Sequence, residues 1–212
     1  MSNYRIAQAA SRGFSHQARL LCFAAAFGAC QLAHAWVLTI PAGARTVYLG
    51  VGNSTPNANN GTVNLVTTTL LAADVGSGVA KLMTSNSTQA NSPFDNFAVC
   101  TPATNQVYVG GFYRMPGASA TTAVLQVATL APLVSGANSI PFGQISWTST
   151  SIGNGGAADI PAGNFVTGGT RFLRNIGANT FVENCHTFTY ANTAAVASGT
   201  YTGVATYTLT AP

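Results

Sequence analysis

Residues 201–209, "YTGVATYTL", alternate two kinds of side chain. Tyr201, Gly203, Ala205, Tyr207 and Leu209 occupy one set of alternate positions, and Thr202, Val204, Thr206 and Thr208 the other. A period of two marks a strand with one buried face, because successive side chains of an extended backbone point to opposite sides of a sheet. The residues nearest a chain end are loose unless something ties them. A strand here therefore requires a partner strand, from this chain or from another.

The same signal recurs from residue 36 onward. "WVLTI" puts Trp36, Leu38 and Ile40 on one face, and "RTVYLGVG" does the same for Val47, Leu49 and Val51. "TVNLVTTTLL" follows the turn-rich "NSTPNANNG"; "QVYVGGFY" is apolar on both faces and reads as a central strand. "AVLQVATLA", "GQISWTS", "TRFLRNI" and "TFVENCHTFTY" complete the series, with Gly, Pro, Asn and Ser between them. Helix is limited to a turn or two in "TLLAADV", and no alternation of strand and helix points to a nucleotide-binding sheet. Many short strands at this spacing predict an all-β sandwich or barrel. "IPAG" at 40–43 and 160–163 and "IPFG" at 140–143 reuse one kind of turn where the chain enters a strand. No linker or charge block divides the chain after residue 36, so residues 36–212 are read as one domain.

The beginning of the chain has a different character. Arg5, Arg12 and Arg19 precede the uncharged "LLCFAAAFGACQLAHA", which ends in the small-x-small triplet Ala33-His34-Ala35. That order of charge, apolar run and cleavage site is expected of a secretory signal peptide, residues 1–35. The run is short for a membrane span, which takes about 20 apolar residues, and no transmembrane segment is expected in the mature chain. A lipid anchor at Cys30, in "FGAC", is the competing reading of the same stretch.

Removal of such a leader changes the charge balance. The whole chain carries +4. Without the leader, Arg45, Lys81, Arg114, Arg171 and Arg174 face Asp74, Asp95, Asp159 and Glu183, leaving +1. Five scattered cations make no clustered basic footprint, so nucleic acid is not an expected partner. Only 6% of residues are charged; solubility falls to Thr, Ser and Asn, as suits an exported β-protein. Cys100 and Cys185, the pair left after the leader, are expected to form a disulfide in an exported chain. Closing a loop of about 85 residues stabilises by roughly 4–5 kcal/mol in the chain-entropy picture.

Signals for catalysis are thin. "ENCH" gathers Glu183, Cys185 and His186, the one histidine after residue 35. A cysteine nucleophile needs its base within hydrogen-bond reach, and neighbours on a strand point apart. No G-x-S-x-G elbow occurs, and no set of four metal ligands is gathered. "SIGNGGAAD" lacks the carboxylates of a calcium loop, and "GNGG" has no lysine or strand-to-helix setting for phosphate. No catalytic, cofactor or metal site is expected. Asn53, Asn60 and Asn86 stand in glycosylation sequons, and Trp36, Tyr113 and Trp147 are the aromatic residues available for stacking on sugars.

The ending resembles the C-terminal strand of chaperone-usher pilins and of the related spore-coat-U-like secreted proteins: Gly199 stands fourteenth from the end, followed by alternating Tyr201, Gly203, Ala205, Tyr207 and Leu209. The resemblance implies an incomplete immunoglobulin-like sandwich whose last strand borders an open groove, filled first by a periplasmic chaperone and then by a neighbouring subunit's N-terminal strand. Ala211 stands where pilins carry an aromatic residue, Cys100 and Cys185 lie later than a pilin disulfide, and Pro41 cannot donate to a ladder. A charge-free edge strand also invites pairing on physical grounds. The expectation is an exported, non-enzymatic structural or adhesive subunit that self-associates or docks by strand addition through Trp36, Leu38, Ile40, Tyr201, Tyr207 and Leu209. The alternative is a monomeric extracellular glycan-binding module using Trp147.

Overall fold

The computed structural model describes residues 39–53, 64–101, 103–150 and 158–212. The proposed leader 1–35, Cys30, Trp36, Leu38 and the "GNGG" run all lie outside the described residues. What is described is all-β and antiparallel, interrupted only by short 3-10 turns such as Ala72–Asp74.

The strands in chain order are β1 (Thr46–Val51), β2 (Val66–Thr67), β3 (Lys81–Leu82), β4 (Thr84–Ser85), β5 (Val107–Arg114), β6 (Thr122–Thr129), β7 (Leu133–Ser135), β8 (Asn138–Ile140), β9 (Ile145–Thr150), β10 (Gly163–Asn164), β11 (Thr170–Gly177), β12 (Thr180–Tyr190) and β13 (Ala205–Thr210). The larger sheet has the order β1-β5-β12-β9-β10, with β3 also on β12; the smaller has the order β11-β6-β13. Two hairpin-like pairs, β2 with β4 and β7 with β8, stand beside them.

The inner faces of both sheets meet in one core. Val109, Tyr113, Val182 and Phe188 come from the larger sheet, with Trp147 of β9; Ala123, Leu125, Val127 and Ile176 come from the smaller. Strand β6 shows the cause most simply: its buried and half-buried residues alternate along its length, as a strand with one buried face requires. Strand β5 is buried almost throughout, because its outer face is covered too. There residues 90–100 lie over the larger sheet, with Phe94 stacked on Phe181 at 4.8 Å and the Cys100–Cys185 disulfide beside it.

The double glycine of "QVYVGGFY" serves both faces. On the outer side, a Cβ at Gly110 would collide with the Tyr108 hydroxyl and stand 2.9 Å from Glu183 Cβ. On the inner side, a Cβ at Gly111 would be 2.7 Å from the Tyr48 carbonyl oxygen and 3.2 Å from Leu209 Cδ2. The missing side chains leave room for a buried hydrogen bond on one face and for the last strand on the other.

Candidate functional site

Strand β13 borders the smaller sheet. Its ladder with β6 pairs Tyr207 with Val127 and Leu209 with Leu125; among the described residues it has no second ladder. Strand β1, the border of the larger sheet, packs against β13. Neither strand contains a charged residue, a proline or a recorded bulge, the devices that ordinarily blunt an edge.

Three inward side chains hold β13 to the core: Ala205, Tyr207 and Leu209. The Tyr207 hydroxyl lies 3.3 Å from His186 Nδ1, and the His186 ring stacks on Trp147 with centroids 5.5 Å apart. His186 is fully buried. Burial penalises its charged form and lowers its pKa from 6.5 to about 3, while burial likewise raises the Tyr207 hydroxyl above its ordinary value. The imidazole is therefore neutral at neutral pH. It links the two sheets by a polar contact across the core.

Tyr201 lies before β13, not in it. Its ring packs on the core and its hydroxyl donates to the Ala197 carbonyl at 2.9 Å, while Thr202 forms an isolated bridge with Val134. Ile40 is buried by its own chain, packed on Phe112 and Phe181. Its backbone N–H donates to Asn179 at 3.1 Å, next to a bridge between Thr39 and Thr180. To serve a neighbour, Ile40 would have to leave this pocket.

Alternation along β12 sends the "ENCH" residues to different environments. Cys185 faces outward, bonded to Cys100 with Cα atoms 5.4 Å apart, and its cluster contains Tyr108. His186 faces inward, away from that sulfur. Glu183 shares the outward face and accepts a 2.7 Å hydrogen bond from Tyr108. Desolvation raises the Glu183 pKa, opposed by hydrogen bonds from Ser92 and Tyr108 and reinforced by Asp95. Tyr108 is raised too, by burial first and then by the Glu183 charge. Cys185 and His186 thus form no nucleophile–base pair, and no group of metal-binding side chains gathers among the described residues.

Trp147 is only 2% exposed; its indole N–H donates to Pro161 at 3.0 Å and the Arg171 guanidinium lies 5.7 Å from its ring. A sugar cannot stack on it. Arg171 and Arg174 are separated by their partners, Asn164 for the first and Asp159, at 3.0 Å, for the second. No helix of the described residues is long and apolar enough to cross a membrane. The Tyr207–His186 contact was not legible in the chain, since no periodicity says which two faces meet; the paired glycines beside Tyr108 were the one visible hint of close packing.

Compared with known proteins, the chain matches no family model, no curated protein and no solved structure.

Proposed function

We propose that this chain is an exported structural or adhesive subunit, pilin-like, which associates by adding a strand from a neighbouring chain or a chaperone to the free edge of β13. It has no catalytic role in this reading, and residues 1–35 are its cleaved signal peptide. One observation carries the proposal: a charge-free border strand whose inward residues are seated in the core and whose outer backbone groups have no ladder partner among the described residues. Main-chain hydrogen bonds along such an edge supply affinity, and alternate side chains of the incoming strand supply specificity.

Strand order supports an immunoglobulin-like sandwich with one place open. That fold sets strands A, B, E and D in one sheet and C, F and G in the other. Here β1, β5, β12 and β9 stand in the first order, and β6 and β13 take the places of C and F; β11 adds to the far side of β6. The place of G, beside β13, is where the added strand belongs. Trp36 and Leu38 remain the proposed lent residues, upstream of the anchored Ile40. The glycan-binding alternative gains nothing from this architecture, since Trp147 is buried.

Residues 36–212, purified and followed by sedimentation over a wide concentration range with electron microscopy of the concentrated sample, test the reading. The expected result is concentration-dependent, head-to-tail assembly. A monomer at every concentration, with the β13 amides fully protected from exchange, would rule it out.

A further inference from the structure

Strand register fixes which end of the molecule each segment occupies. Gly177 pairs with Thr122, Thr210 with Val124 and Thr180 with Tyr113, so β6 begins, β13 finishes and β12 begins at one end. Thr39 enters there too: it bridges Thr180, and Ile40 N–H donates to the Asn179 carbonyl at 3.1 Å. At the other end β6 finishes and β13 begins, where Thr129 pairs with Ala205. Four exposed apolar residues stand around that pair. Leu130 follows Thr129 and Val204 precedes Ala205; the Val166 carbonyl accepts a 2.5 Å hydrogen bond from Thr129 Oγ1, and Val134 bridges Thr202. Leu130 is 93% exposed and Val204 68%. Segments 130–137, 165–169 and 199–204, which carry these side chains, contain no charged residue.

We propose that this apolar end receives Trp36 and Leu38 of a second copy, so that copies join end to end with the first residues of one seated at the start of β13 of the next. This contact rests on the strand-addition reading above, with residues 1–35 removed, and fixes where along β13 a neighbour is held. The reach of the lent segment decides the place. Thr39 and Ile40 are tied to their own chain, so residues 36–38 alone are left to lend, about 10 Å of extended backbone. Strand β13 has 6 residues, and a strand of that length runs about 20 Å. The lent residues therefore cover roughly half of the edge and must approach it from one end. They leave their own copy at the end opposite Ala205, so stacking copies in one direction brings them to the start of the next β13. The chemistry matches on both sides: "WVLTI" is as free of charge as the patch, and removing both apolar surfaces from water favours the contact. Such a contact is heterologous, and it repeats without closing.

The test uses residues 36–212 with Trp36 replaced by the photoreactive benzoylphenylalanine, in a mixture of isotope-labelled and unlabelled copies that marks adducts formed between chains. Irradiation is expected to join position 36 of one copy to residues 130–134, 166–168 or 202–206 of another. Leu130→Asp with Val204→Asp, both at exposed positions, is expected to weaken assembly measured by sedimentation at least about tenfold, with the melting temperature unchanged. If the two aspartates lower the melting temperature, the adduct map alone decides. Adducts between copies at residues 122–124 or 208–210 would show exchange at the opposite end and overturn the proposal, as would adducts confined to one chain. Assembly weakened by Thr206→Lys with Thr210→Lys but untouched by the two aspartates would overturn the end-to-end contact and leave strand addition standing. A parent that never assembles would overturn both.

Discussion

The hydroxyl of Tyr207, on the last strand of the smaller sheet, lies 3.3 Å from Nδ1 of His186, on the central β12 of the larger sheet. Among the described residues this is the contact of β13 that crosses the core by a polar bond. It ties the candidate association edge to the sheet opposite.

His186 has a folded pKa of about 3 against an ordinary 6.5. Between those values the unfolded chain binds a proton that the folded chain refuses, so stability falls as pH drops from 6.5 toward 3. Each unit is worth about 1.4 kcal/mol, and the whole limb amounts to a few kcal/mol. His186→Phe combined with Tyr207→Phe, which leaves no hydroxyl stranded, is expected to flatten that limb in urea titrations made at a series of pH values. An unchanged acid limb would show that His186 is not its source.

Glu183 titrates in the opposite sense. Its raised pKa means that its contribution is fully present below about 4.5 and is lost as pH rises through the folded value. Glu183→Gln keeps an acceptor for the Tyr108 hydroxyl and removes the charge. The variant is expected to melt higher than the parent at pH 7 to 8, by a few degrees on a scale of roughly 2–4 °C per kcal/mol, and to show less slope with pH. A lower melting point at pH 8 would mean that the ionised carboxylate stabilises the outer face.

Gly111→Ala places a methyl 2.7 Å from the Tyr48 carbonyl oxygen and 3.2 Å from Leu209 Cδ2. Leu209 can turn aside, but the Tyr48 carbonyl belongs to the β1 backbone and has little freedom. Overpacking of this kind costs about 1–3 kcal/mol. Denaturant midpoints should drop accordingly, with faster amide exchange in β13. Leu209→Val in the same background should recover only part of the loss; full recovery would place the clash on Leu209 alone.

Thr206 and Thr210 are the exposed positions of β13. Thr206→Lys with Thr210→Lys puts charge on the free edge without touching the core. Edge lysines oppose strand addition, so assembly should weaken at least about tenfold, which is 1.4 kcal/mol in association free energy, while the melting temperature stays near the parent's. Unaltered assembly would send the contact elsewhere.

Much of this architecture was legible because alternation is a local property. "AVLQVATLA" and "TRFLRNI" became β6 and β11, and "QVYVGGFY", apolar on both faces, became a strand covered on both sides. "TVNLVTTTLL" has the same local character, yet among its described residues only Val66 and Thr67 form a ladder, with β4; Leu65, hydrogen-bonded to Asn86, and Leu71 lie exposed. The last strand begins at Ala205 instead of Tyr201 because Thr202 bridges Val134 and Gly203 is crowded by Phe142 and Leu133. Both departures arise from neighbours distant in the chain.

From its residues alone the chain was committed to antiparallel strands, to one pairing of Cys100 with Cys185, and to a last strand without charge. Alternation and cysteine count act within a segment or a pair, so they can be read along a line. Tertiary structure alone decided that Ile40 and Trp147 are buried, that Cys185 and His186 face opposite layers, and that Tyr207 meets His186 over a core in which Gly111 makes room for Leu209. Those outcomes depend on which faces come together, and that is set by packing among residues separated by most of the chain.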